Sequence, residues 1–191
     1  MAIKFLQEGI RALSPVCGRE IRIQNCRLQF IQINYMDVDR NWYAKPHTHS
    51  WYELHYINTG TAFTILDGKK ITVEPGNYYI IPPDTTHEHK QAVINTGHEG
   101  MALRWQLLPL SSSTFSENKE KKNEVYSQDQ VPTFPLSELE QGLSDQKIRK
   151  ADKLKSGIQH LIKMKKDYEA STLSLLTYLA GLIFQLSRSE N

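Results

Sequence analysis

The sequence predicts a mainly β domain, a barrel or sandwich of short antiparallel strands, followed by packed α-helices. Three observations carry this. From Ile21 to Leu107, about eight runs rich in β-branched and aromatic residues recur at a spacing of roughly ten residues. Turn chemistry rich in Gly, Pro and Asn separates them. Beyond Pro135 the apolar positions change from alternation to helical spacing.

The elements follow in order. Residues 1–20, beginning MAIKFLQEGIRALSP, lack the long apolar run and small-residue cleavage site of a signal peptide, so the cytoplasm is the expected location. They are set apart as an amino-terminal arm that can lie over a pocket. The barrel is assigned to residues 21–109. Its strands are RLQFIQINYM, with Leu28, Phe30 and Tyr35, then WYELHYIN, FTIL, KKITV, NYYII, KQAVI and ALRWQLL. Asp67-Gly68 between FTIL and KKITV has the residues that a two-residue hairpin needs at positive φ. Asn58-Thr59-Gly60 and Glu74-Pro75-Gly76 make the neighbouring turns.

Residues 110–135, including SSSTFSENKEKKNEVYSQDQ, are polar and read as a surface loop or linker. Residues 136–191 form a helical segment. Ser137 and Glu140 match a capping box, and Ile148, Ala151, Leu154, Ile158, Leu161 and Ile162 fall along one helical face. Lysines 147, 150, 153, 155, 163, 165 and 166 lie among Asp152, Asp167 and Glu169, which reads as a solvated face and not a nucleic-acid patch. LSLLTYLAGLIFQLS is apolar on nearly every side, yet it falls short of the ~20 residues of a membrane span. A packed helix is expected there.

Net charge is +2, from 23 basic and 21 acidic residues, so the chain lacks the overall basicity of a nucleic-acid-coating domain. Cys17 and Cys26 are too few for a disulfide framework and are expected as thiols.

The densest chemistry is in HTHSWYELHYINTG, where His47, His49, Glu53 and His55 stand within nine residues. On a regular strand His47, His49, Trp51, Glu53, His55 and Ile57 share one face, so their side chains converge. One strand cannot surround an ion. His87, after the turn in GNYYIIPPDTTHEH, offers a ligand from elsewhere.

These residues resemble the cupin family. Its first motif is met by His47, His49, Glu53 and Gly60 at the expected spacing, and its second by Gly76, Pro82 and His87. Asn41 stands in place of the first motif's leading glycine, Asp84 in place of a glycine, and Gln91 in place of an asparagine. The resemblance implies a double-stranded β-helix, the jelly-roll barrel, followed by C-terminal α-helices. Resemblance to metal-binding members makes His47, His49, Glu53 and His87 the ligands of a divalent metal, Zn, Ni, Mn or Fe. The other reading has the same residues lining a pocket and bonding one another or an organic ligand. His55 and His89 share the ligand parity and read either as supports for the ligands or as ordinary strand histidines.

The wording of HTHSWYELHYINTGTAFTILDGKKITVEPGNYYIIPPDTTHEH looks like the amino-terminal sensing domain of AraC-type transcription regulators, above all in Tyr52-Glu53-Leu54 and Ile81-Pro82-Pro83. That resemblance implies a non-enzymatic domain that binds a small, sugar-like effector and forms a homodimer. DNA would be read by a C-terminal helix-turn-helix domain absent from this chain, and the stop at Asn191 suggests a piece of a longer protein. Trp51, His55, Tyr56, Tyr78, His89, Arg104 and Trp105 are the expected pocket residues, with Trp42 close to the motif. Leu173, Leu176, Leu179, Ile183 and Leu186 are the expected dimer contact. The rival readings are a metal-dependent cupin enzyme, a dioxygenase or isomerase, and a sugar-binding module without a regulatory role.

Overall fold

Strands form where β-branched and aromatic residues alternate, and the tightest connection is the Asp67-Gly68 turn, with φ of 47° and 80°. In the computed structural model, which describes residues 2–23, 26–39, 43–90, 97–109, 136–167 and 170–188, this turn joins β5 (Ala62–Leu66) to β6 (Lys69–Val73). Asp67 also accepts a hydrogen bond from the Thr86 amide at 3.0 Å. Gly60 is required at its turn: φ is +69°, and a Cβ there would collide with the Gly97 carbonyl.

Two antiparallel sheets result. The larger runs β1 (Glu20–Ile23), β2 (Cys26–Val38), β9 (His98–Pro109), β4 (Tyr52–Thr59), β7 (Asn77–Ile81) and β10 (Arg149–Lys150). The smaller runs β3 (Ala44–His47), β8 (His87–Lys90), β5 and β6. Ile57, Tyr79 and Ile81 of the first meet Ala62, Leu66 and Val73 of the second in a small core between the sheets. The larger core lies on the other face of the six-stranded sheet. There Leu28, Phe30, Tyr52, Leu54, Tyr56, Tyr78, Ile80, Leu103 and Trp105 pack against the helices α1 (Ala2–Leu13), α2 (Leu136–Leu143), α3 (Asp152–Asp167) and α4 (Thr172–Ser187).

Several expectations change. HTHSWYELHYIN is not one strand: β3 ends at His47 in the smaller sheet and β4 starts at Tyr52 in the larger, so residues 48–51 turn the corner between sheets. The expected arm is helical over α1 and docks on α3 and β2, and none of its described residues lines the pocket between the sheets. The residues expected to open one long helix instead form β10, whose Arg149 pairs with Tyr78 on β7. Ile148 is therefore off the helix and 42% exposed. Helix α2 already includes Ser137, which places the expected capping serine inside the first turn.

Of the expected dimer contact, Leu176, Leu179, Ile183 and Leu186 are buried within the chain's own core, and only Leu173 is exposed, at 64%. The reason is the all-round apolarity of α4: α2, α3 and β1 surround it. Trp42, Gln91, most of KQAVI and the linker at 110–135 lie outside the described residues. Both cysteines are free thiols, raised above their ordinary pKa mainly by burial.

Candidate functional site

Alternation along β4 makes the site. Tyr52, Leu54 and Tyr56 face the helices, so Glu53, His55 and Ile57 face the interior between the sheets. The strand ladder extends this face sideways in rows: Glu53 opposite Arg104, which is opposite Gln32, and His55 opposite Ala102, which is opposite Asn34. From the smaller sheet, His47 pairs with His87 and Ala44 with His89. Together they surround a cavity of about 290 Å³ lined by Asn34, His47, Glu53, His55, His89 and Arg104 among others.

Glu53 is the hub. Its Oε2 lies 2.9 Å from His49 Nε2, while Oε1 accepts from Arg104 Nε at 2.9 Å and lies 2.8 Å from Nη2 of the same guanidinium. His55 Nε2 lies 3.1 Å from Oε1, close but not aligned for a hydrogen bond. Burial by itself would raise the Glu53 carboxyl. His55, the bond from His49 and the Arg104 guanidinium outweigh it and hold the group far below the usual carboxylate range.

His87 is fully buried. Its Nδ1 donates to the Thr85 carbonyl at 2.9 Å, which leaves Nε2 buried with its lone pair unused among the described residues. Burial first, then the neighbouring His47 and His49, lower its pKa to about 4, so the ring is neutral at pH 7. His89 is pushed down to about 2 by burial and then by His55 and His87, and His98 to about 4 by burial and then by His55.

These features fit a metal ion. His49, Glu53 and His87 each offer a ligand atom within 4.8 Å of the others, and all three are buried. The 2.9 Å between His49 Nε2 and Glu53 Oε2 suits two ligands at right angles, each ~2.1 Å from one ion. His87 already has a backbone partner on Nδ1, which fixes the tautomer a ligand needs. His47 stands apart from this trio. It is exposed and gives Nδ1 to the Lys45 carbonyl at 2.8 Å, although its ring lies 4.1 Å from that of His87. The expected set of four is thus a buried trio with His47 at the rim.

The expected pocket residues divide by parity. His55, His89 and Arg104 line the cavity. Tyr56, Tyr78 and Trp105 do not: they point to the opposite face and pack in the sheet–helix core, where Trp105 stacks on Tyr52 at 5.5 Å. Trp51 sits at the corner between sheets and stacks on His49, with centroids 4.7 Å apart and planes 9° apart. Sequence reading missed Asn34, Ala102 and His98, and it named Tyr79 only among the aromatics available to a pocket. His98 shares the parity of Ala102 and Arg104 on β9, and Tyr79 pairs with His55 and stacks on it at 5.1 Å, so strand register was the signal that would have found them.

Residues 34–105 match the family described as the Cupin domain. No curated protein matches the sequence. Among solved structures, the chain is similar to KdgF from Halomonas sp., at 17% identity over 45% of this chain and 84% of that one, with a TM-score of 0.35. A Cupin 2 conserved barrel domain protein from Salinispora arenicola CNS-205 gives 19% identity over 46% and 82%, with a TM-score of 0.36. YhaK from Escherichia coli gives 15% identity over 44% of each chain, with a TM-score of 0.37. The paired antiparallel sheets and the Cupin domain match over residues 34–105 give the chain the fold of a cupin-type β-barrel followed by C-terminal helices.

Proposed function

We propose that this domain senses a small, sugar-like molecule in the cavity of its barrel, beside a divalent metal held by His49, Glu53 and His87, and reports it to the helices behind the sheet. In this reading it is the cytoplasmic sensing domain of an AraC-type regulator, not an enzyme. It acts as a homodimer, with DNA contacted by a C-terminal domain outside this chain. The carrying observation is that β4 is buried on both faces: Glu53 and His55 line the cavity, and Tyr52, Leu54 and Tyr56 pack in the core that holds α3 and α4. Whatever moves Glu53 moves a strand on which the helices rest, and a ligand shifts that equilibrium by its difference in affinity for the two arrangements.

Hydrogen exchange of the Ni²⁺-loaded chain with and without a bound sugar-like probe, D-glucitol or D-gluconate, tests this. Protection that changes in β4 and also in α3 and α4 supports it, while a change confined to the barrel overturns the sensor reading. The alternative, a metal-dependent cupin enzyme, is favoured by the trio itself, since three protein ligands leave coordination positions for a substrate. The metal would then act as a Lewis acid or bind oxygen, and the chain's part would be to hold it through the two histidines and Glu53. Oxygen uptake or isomerisation by metal-loaded protein would support that reading.

A further inference from the structure

Among the described residues that line the cavity, Arg104 is the one permanent cation, and it is only partly used. Of the five N–H groups of a guanidinium, Nε bonds Glu53 Oε1 at 2.9 Å, with Nη2 in ion-pair contact with the same oxygen at 2.8 Å, and one on Nη1 bonds Gln32 Oε1 at 2.7 Å. At least one N–H on each terminal nitrogen makes no hydrogen bond among the described residues. The side chain is 30% exposed where it lines the cavity, whereas its partner Glu53 is only 3% exposed. Glu53 thus anchors the Nε/Nη2 edge deep in the sheet, and Gln32 steadies the group from the other side. What remains are donors on the two terminal nitrogens of a held guanidinium, a group suited to the two oxygens of a carboxylate.

Charge points the same way. Arg104 and Glu53 compensate each other, and Asp37 is exposed at the mouth. A divalent ion on His49, Glu53 and His87 would add two positive charges to a half-open cavity, where electrostatic interactions are stronger than in bulk water. Space is available beside the guanidinium, because Ala102, one row along from Arg104, is the smallest side chain between Asn34 and His55. These two flanking groups can bond hydroxyls. A cavity of about 290 Å³ is at the small end for ligand sites, which suits a compact molecule.

We propose that the ligand of this cavity is a small hydroxy acid of the sugar-acid type, with its carboxylate held by the free N–H groups of Arg104. This rests on the reading of the cavity as the ligand site, and it replaces a neutral sugar by an acid.

The test is calorimetric titration of the folded chain, metal-free and loaded with one equivalent of Ni²⁺. Three probes are used: D-gluconate, D-glucitol and lactate. Gluconate and glucitol share a carbon skeleton and differ in carboxylate against hydroxymethyl, while lactate is an acid small enough for any such cavity. In at least one metal state both acids bind about 10-fold or more tighter than glucitol, as expected for a charge-assisted pair. Arg104→Lys, which keeps the charge but not the fork, brings the ratio down towards one, and Ala102→Leu weakens all binding by filling the space. Circular dichroism confirms that each variant is folded. If glucitol binds as well as the acids, if no acid binds in either state, or if folded Arg104→Lys keeps the preference, the proposal is overturned. The sensor reading fails on different grounds, a ligand whose binding leaves α3 and α4 unchanged in hydrogen exchange.

Discussion

Each oxygen of Glu53 has its own partners, one facing His49 and the other facing Arg104 and His55. A carboxylate held this way can give Oε2 to an ion without leaving Arg104. Removing His49 and His87 together should therefore abolish near-stoichiometric metal in elemental analysis. His47→Ala, at the exposed rim, should weaken metal retention by about 10-fold. Stability should also depend on pH through the buried His87 and the half-buried His98. His87 and His98 have folded pKa values of about 4, below the ordinary 6.5, so the unfolded chain takes up protons that the folded chain refuses. Their stabilisation is complete above pH 6.5 and is lost as pH falls towards 4, at most about 3 kcal/mol per site. Urea melts of metal-free protein at pH 7.5 and 5 should show this loss, and His98→Asn should reduce it. The histidines of this site were legible because their spacing is unusual. Asn34 and Ala102 were not, because nothing in a lone Asn or Ala distinguishes it until strand register sets it opposite a functional residue.

Among the elements, β4 and α4 show how period reading succeeds and where it stops. Alternation correctly put Glu53, His55 and Ile57 on one face. It could not show that residues 48–51 break the strand, because a corner between two sheets is decided by pairing partners far along the chain. The same long-range pairing sends Tyr56, Tyr78 and Trp105 to the helices: aromatic character is alike on both faces, and only register separates them. In α4 the all-round apolar pattern correctly signalled burial, but not what would cover it. Leu179, 1% exposed, should cost about 2–5 kcal/mol on replacement by alanine, and Leu173→Ser, at the exposed end, less than about 0.5 kcal/mol, both measured by urea unfolding. Gly157 is closely covered, since a Cβ would lie 2.6 Å from Leu182 Cδ2. Gly157→Leu should separate α3 from α4 and lower stability by about 1–3 kcal/mol.

For the whole molecule, burial of four of the five expected contact leucines and isoleucines inside the chain narrows the surface left for self-association. A dimer built on α4 would have to use its exposed end around Leu173. Light scattering should then give twice the 22.0 kDa chain mass, and Leu173→Glu should return it to one chain mass. No helix among the described residues is long and apolar enough to cross a membrane.

The division of apolar packing has a further consequence. The extensive core lies behind the six-stranded sheet, among the helices, while the space between the sheets holds only a small one at the far side of the cavity. Side chains such as Asn34, Ala102 and His98 line that cavity and belong to neither core. Inheritable changes at Asn34 therefore bear little on the packing of either core, although His98 still acts on stability through its titration. The lineage of this barrel is free to exchange one chemical clientele for another while the scaffold behind the sheet persists.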